Sequence, residues 1–137
     1  MDTKLKHLEF IQDTINRLST NSFLLKGWSV ILVTGLFALS AANSIIEFVY
    51  LAFAPALVFW GLDGYFLWQE RVYREVYNRV RSKKPQDIDF SMDTRDVSDD
   101  VPGWLRATFS KTLIPFHGSL VGAILVVTII MLKRGVK

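Results

Sequence analysis

The chain has 137 residues, half of them hydrophobic, with a formal net charge of +3 and no cysteine. This length accommodates one small domain, and the lack of cysteine excludes a disulfide framework, a thiolate metal site and a cysteine nucleophile. The hydrophobic residues are concentrated in three runs, at 23–42, 45–67 and 112–132. Each run has about the 20 residues that a helix needs to cross the hydrocarbon core of a bilayer. The sequence therefore predicts an all-α integral membrane bundle with three transmembrane helices.

Residues 1–22 predict a cytosolic amphipathic helix. A set of residues recurs at three- and four-residue spacing, which places it on one helical face: Leu5, Leu8, Ile11 or Gln12, Ile15 and Leu18. This face either binds a membrane surface or another subunit, or it packs on the cytosolic end of the second span. The segment lacks the pattern of a cleaved signal peptide, so the first span is expected to stay in the mature protein.

The first two spans, 23–42 and 45–67, are predicted to form an antiparallel hairpin. Only the short turn at Asn43–Ser44 joins them, so the two helices must be neighbours. Pro55 lies within the second span, where it is expected to kink the helix or to leave a backbone carbonyl without its helical partner.

The second span is expected to continue beyond the membrane. No Gly or Pro occurs between Gly64 and Pro85, so the helix should leave the membrane near Trp68 and continue as a basic cytosolic extension over 68–84. Six cations of this extension form a predicted face for anionic lipid headgroups or a soluble partner: Arg71, Arg74, Arg79, Arg81, Lys83 and Lys84. The same cations are also typical of an ordinary positive-inside anchor.

Residues 85–103 predict an acidic linker. It contains six aspartates: Asp87, Asp89, Asp93, Asp96, Asp99 and Asp100. A calcium site is one interpretation, but the glycine and the terminal glutamate of an EF-hand loop are absent, so no metal site is predicted. The acidic loop is instead expected to face the basic extension or a basic partner.

The last part of the chain predicts an interfacial helix at 104–111, the third span at 112–132 and a tail at 133–137. Gly118 and Gly122 form a G-x-x-x-G pattern in this span. The pattern allows close helix packing, either within the subunit or between subunits.

Lysine and arginine positions predict the orientation. The N-terminal segment through Lys26 carries four of these cations, the segment between the second and third spans carries nine, and the C-terminal tail carries three. A cytosolic N-terminus places 13 of them inside and 3 outside, and the positive-inside rule favours this over the inverse. The basic tail on the outside departs from the rule.

Three ionisable residues fall at matching depth in the three spans: Lys26, Asp63 and His117. Each lies within about 4–8 Å of the predicted inner boundary, at about 1.5 Å per helical residue. Pairing lowers the cost of a charge inside lipid, so Lys26 is expected to approach Asp63, with His117 near one of them. The set is either a polar gate at the inner mouth of a pore or a structural ion pair that closes the bundle.

Catalytic motifs are missing from the sequence. It has no nucleophile elbow, phosphate-binding glycine loop, zinc-binding H-E-x-x-H or HEPN-type ribonuclease motif, and His7 and His117 are its only histidines. We therefore expect neither an enzyme nor a cofactor. The basic extension would lie against an anionic membrane that competes for it, so direct nucleic-acid binding is not expected.

The segments Lys6–Trp28, KHLEFIQDTINRLSTNSFLLKGW, and Phe59–Tyr77, FWGLDGYFLWQERVYREVY, resemble a group of small bacterial multi-span membrane proteins. The layout is similar to that of SLATT-type membrane effectors of antiphage defence: a helical hairpin, an aspartate near the inner end of the second span, and a charged helix behind it. The resemblance implies a bacterial inner-membrane protein that forms a channel or disrupts the membrane, and that stays inactive until a partner or nucleotide signal arrives.

Two functions follow as hypotheses. The first is an oligomeric inner-membrane effector of antiphage defence, which forms or gates a pore on a cytosolic signal. The second is a non-conducting anchor or regulatory subunit that recruits a soluble enzyme through the basic extension and the acidic linker. With three helices in one chain, conduction requires a homo-oligomer, most simply a ring. In both cases the N-terminus is expected in the cytosol and the C-terminus in the periplasm.

Overall fold

The computed structural model describes residues 2–95 and 97–135. Its α-helices are α1 (Asp2–Asn43), α2 (Glu47–Leu51), α3 (Phe53–Arg81), α4 (Trp104–Thr108) and α5 (Ile114–Lys133). Two short 3-10 helices lie at Pro85–Asp87 and Ser98–Asp100. No strand occurs among the described residues, and the all-α prediction is confirmed.

Three helical stretches are long and apolar enough to cross a membrane: Thr3–Asn43, Glu47–Arg81 and Ile114–Lys133. The second stretch combines α2 and α3. Large apolar side chains along these helices are exposed, among them Phe23 and Ile31 at 74% and 63%. A surface of this kind is stable in lipid rather than in water, which agrees with a multi-pass membrane protein.

Helix α1 continues without a break across residues 19–22, where the sequence analysis placed the border between a cytosolic helix and the first span. The polar side chains there are satisfied without disturbing the helix. Thr20 donates to the carbonyl of Asn16 at 2.9 Å, while Ser19 donates to Glu70 at 2.6 Å. Because these bonds run back along α1 or across to α3, the polar patch does not end the helix.

Pro55 accounts for the break between α2 and α3. A proline has no N–H to donate to the carbonyl four residues before it, and its ring crowds that carbonyl; here the carbonyl belongs to Leu51, the last residue of α2. The chain passes through Ala52 and resumes as α3 at Phe53, with the N–H of Ala56 bonded to the carbonyl of Ala52 at 3.2 Å. The helix of the second span is therefore interrupted for one residue, at Ala52, between α2 and α3.

Helices α1 and α3 pack antiparallel and bury two apolar clusters. The first, near the N-terminus of α1, comprises Ile11, Ile15, Val72, Val76, Val80 and Val97. The second joins α1, α2, α3 and α5 and comprises Val33, Val49, Ala52, Ala56 and Ile124. In this structure the apolar face of residues 1–22 covers the end of α3, although Leu5 stays 56% exposed.

The acidic segment folds back on the bundle, and we call residues 82–103 the strap. Val97 is 5% exposed and belongs to the first apolar cluster, with Ile88, Met92 and Val101 packed beside it. His7 of α1 is 1% exposed and bonds to the carbonyl of Ser91 at 3.0 Å. The predicted linker is thus a packed covering of the α1–α3 end, because its apolar residues alternate with the aspartates.

Val97→Asp is expected to release the strap. A carboxylate at this position loses its hydration and takes the place of the apolar side chain that packs in the first cluster, so the packed strap is destabilised. Trypsin cleavage after Lys83 and Arg95 should become about tenfold faster or more, because cleavage follows the population of the open form. Asp99→Asn, at an exposed strap position, is the matched control and should leave the cleavage rate unchanged. Equal rates in all three proteins would contradict the packed strap.

Candidate functional site

The structure brings Lys26, Asp63 and His117 together with Ser22, and we call these four residues the polar cluster. Asp63 of α3 is fully buried, and its Oδ2 atom lies 2.6 Å from Lys26 Nζ and 2.7 Å from His117 Nε2. Ser22 donates to the other carboxylate oxygen and accepts from Lys26 Nζ at 2.9 Å. One carboxylate therefore connects α1, α3 and α5, the three helices that contain the apolar spans.

The cluster is balanced in charge when His117 is neutral. An ionised carboxylate only accepts hydrogen bonds, so Nε2 of His117 must carry the proton that points at Asp63. His117 is fully buried, and its Nδ1 atom has no hydrogen-bond partner among the described residues.

Helix α4 holds the cluster from the side. The indole N–H of Trp60 donates to the carbonyl of Thr108 at 2.7 Å, and the indole N–H of Trp104 donates to the carbonyl of Gly61 at 2.9 Å. The Trp60 ring also stacks on the His117 ring, with 5.8 Å between centroids and 6° between planes. The two tryptophans thus attach α4 to α3 and fix the orientation of the imidazole.

Gly64 allows this close approach. A Cβ atom at Gly64 would lie 2.8 Å from Cβ and 2.9 Å from Cα of Thr108, well inside normal contact distance. A Cβ at Gly61, one turn earlier, would meet only the Trp104 ring at 3.6 Å. Thus Gly64 is the position at which the backbone of α4 touches α3.

Some cations of the predicted basic face form ion pairs within the chain, and others are exposed. Arg74 pairs with Glu70 at 2.9 Å, and Arg79 pairs with both Glu75 and Asp100 of the strap. The hydrogen bond to Asp100 raises the pKa of Arg79. Arg71 and Lys83 are half-buried, whereas Arg81 and Lys84 are exposed. Part of the predicted face is therefore used inside the chain, and Arg81 and Lys84 remain on the surface.

The strap aspartates have separate surroundings. The guanidinium of Arg95 donates to Asp93 and lowers the pKa of Asp93, while the N–H of Ser91 lowers the pKa of Asp89. Both bonds persist at neutral pH and are lost only as the pH falls through those lowered pKa values. Asp87 and Asp99 are exposed, Asp96 lies outside the described residues, and the described part of the chain contains no cluster that fits a metal ion.

The two glycines of the third span do not contact another helix of this chain. A Cβ at Gly122 would meet nothing within 4 Å, and one at Gly118 would meet only Ile114 of the same helix at 3.7 Å. Of the two interpretations of the G-x-x-x-G pattern, a contact within the subunit is absent from the described residues. A contact between subunits stays a prediction.

Three contributors to the site escaped the sequence analysis: Ser22, Trp60 and Thr108. Ser22 lies four residues before Lys26, a spacing that puts both on one helical face, so helical spacing was the signal that pointed to it. Trp60 and Thr108 carried no comparable signal, because their roles depend on where α4 docks. Comparisons with protein-family models, curated proteins and solved structures found no match for this chain.

Proposed function

We propose that this protein is a small oligomeric effector of the bacterial inner membrane, which permeabilises or depolarises the membrane on a cytosolic signal. The polar cluster is the gate, and it keeps the three spans together in the closed state. The antiphage role and the partner or nucleotide that supplies the signal rest on the resemblance of Lys6–Trp28 and Phe59–Tyr77 to SLATT-type effectors.

The observation that carries the proposal is the position of Asp63. This carboxylate is fully buried in a helical bundle that has the surface of a membrane protein, and it contacts polar side chains from both other spans. Polar and ionisable residues at such depth are costly and are retained mainly at functional sites. Separation of the spans would expose Lys26, Asp63 and His117 together at one level.

Homo-oligomerisation is part of the proposal. A 15.7 kDa chain with three spans encloses no conduit alone, and Gly118 and Gly122 leave room on α5 for a neighbouring helix. The middles of the first and third spans, 30–39 and 120–130, are almost entirely apolar. Such apolar middles count against a constantly open aqueous pore and are compatible with one that stays dry and closed while the polar cluster holds the spans together, and that conducts when it becomes wet.

The second candidate is a non-conducting anchor for a soluble enzyme. It is supported by the strap, which displays exposed Asp87 and Asp99 beside exposed Arg81 and Lys84 on the bundle end that the N-terminus of α1 shares. Charges of both signs at such a surface give a partner specific orientation. In that case the polar cluster is only the structural lock of the bundle.

Planar-bilayer conductance of purified oligomer separates the two candidates. We expect Asp63→Asn to raise the open probability, because an amide no longer balances the charge of Lys26 and the closed state loses its strongest contact. Glu9→Gln makes the same change of charge at an exposed pair, 3.4 Å from Lys6, and should behave as the wild type. A monomer, or an oligomer that is silent in both variants, would contradict the effector and favour the anchor.

A further inference from the structure

A groove of about 330 Å³ lies between the last turns of α1 and α5, at the opposite end of the bundle from the strap. It is lined by Phe37, Ser40, Ala41, Ser44, Val127, Ile130, Met131 and Arg134. Neither of the proposed functions uses this groove.

The walls of the groove are apolar and its rim is positive. Ser40 is bonded internally, to the carbonyl of Ile45 at 2.7 Å and to the sulfur of Met131 at 3.3 Å, so its hydroxyl is occupied by the protein. Arg134 is the exposed C-terminal cap of α5 and forms no ion pair among the described residues. A ligand therefore meets an aliphatic and aromatic channel that ends at one guanidinium.

We propose that this groove binds one anionic phospholipid, with an acyl chain along the α1–α5 walls and the phosphate at Arg134. A guanidinium pairs well with a phosphate through two parallel hydrogen bonds. The groove opens at the end of a transmembrane helix, where a lipid headgroup lies. The site also gives Arg134 an anionic partner, although this cation stands on the side that the positive-inside rule leaves poor in lysine and arginine.

This inference does not depend on pore formation. An anchor and a channel both have the groove, and the argument uses only its lining and the exposed cation at its rim. A bound anionic lipid would link α1 to α5 at the end where the polar cluster does not reach.

Native mass spectrometry of protein extracted from nanodiscs tests the proposal, with phosphatidylglycerol and phosphatidylcholine in equal amounts as the probe lipids. The wild type should retain one phosphatidylglycerol per chain in preference to phosphatidylcholine. Arg134→Gln should weaken this retention about fivefold, because one cation near an anionic headgroup contributes about 1 kcal/mol. Ala41→Trp should block the groove and remove the retained lipid without any change of charge.

Lys133→Gln is the matched control, since Lys133 is the neighbouring cation and does not line the groove. It should leave retention unchanged, whereas a general attraction of lipid to the basic tail would weaken it as much as Arg134→Gln does. Equal loss in those two variants, or equal retention of the two lipids, would overturn the proposal. The proposal would also be overturned if Ala41→Trp dissociated the oligomer but still retained lipid. That result would mean that a second copy of the chain, and not a lipid, fills the groove. Arg134 is exposed, so Arg134→Gln tests the site even if Ala41→Trp misfolds.

Discussion

Asp63→Ala is expected to lower the free energy of unfolding in detergent by about 3–5 kcal/mol, the usual cost of removing one partner from a buried ion pair. The carboxylate is fully buried and accepts hydrogen bonds from Ser22, Lys26 and His117. After its removal, Lys26 can turn partly toward solvent or headgroups, because its side chain is already 25% exposed. His117 cannot, since it is fully buried. Reversible unfolding in mixed micelles, followed by circular dichroism, measures the loss.

A double variant separates charge imbalance from lost packing. Lys26→Met with Asp63→Leu replaces the ion pair by apolar side chains, and such replacements are often neutral or stabilising. It should therefore recover the part of the stability that Asp63→Ala loses through the unpaired Lys26, while His117 still lacks its acceptor. Lys26→Met alone should be destabilised because it leaves Asp63 without its cation. If the double variant is less stable than either single variant, the cluster has no charge imbalance to relieve and the buried-pair interpretation is wrong.

The same double variant bears on function as well as on stability. In the effector proposal, the polar cluster must remain able to open, so an apolar replacement should fold well and conduct poorly. In the anchor proposal, the replacement should fold well and bind its partner normally. If the wild type conducts, a double variant that is stable but silent supports a gate, and it does so independently of Asp63→Asn, which is expected to open the pore.

The polar cluster could be predicted because its signal is strong in the sequence. Lys26, Asp63 and His117 each interrupt a long apolar run, and the lengths of the runs fix their depth. Charges at the same depth in lipid are less costly when they pair, and the structure places these three residues within hydrogen-bond distance of one another through Asp63. The three apolar stretches follow from the same simple physics.

The strap and α4 were harder to predict, because their positions depend on tertiary contacts. Residues 85–103 look like a solvated linker by composition, yet Val97 is buried against α3 and His7 bonds to Ser91. The local sequence does not indicate which apolar residue of a polar segment becomes buried in an apolar cluster. Likewise, nothing in the sequence around Gly64 indicates its contact with Thr108, which appears only when α4 is docked.

Gly64→Ala is expected to destabilise the protein by about 1–3 kcal/mol, the usual cost of adding a methyl group to a filled contact. The added Cβ would lie 2.9 Å from the backbone Cα of Thr108, so α4 must move away from α3. That movement would strain the bond from Trp60 to the carbonyl of Thr108 and the stacking of Trp60 on His117. Thermal unfolding and the fluorescence of the tryptophans should both change.

Helix propensity alone would make Gly64→Ala stabilising, so the expected destabilisation is opposite in sign and easy to distinguish. Alanine in a helix interior is favoured over glycine by about 1 kcal/mol, so an unobstructed Gly→Ala change should stabilise. Gly61→Ala, three residues earlier on α3, meets only an ordinary contact at 3.6 Å from the Trp104 ring, and Gly27→Ala on α1 meets nothing within 4 Å. Both are expected to be neutral or stabilising. If Gly64→Ala stabilises the protein as these controls do, α4 does not rest against α3 at Thr108, and the support of His117 by Trp60 must be given up with it.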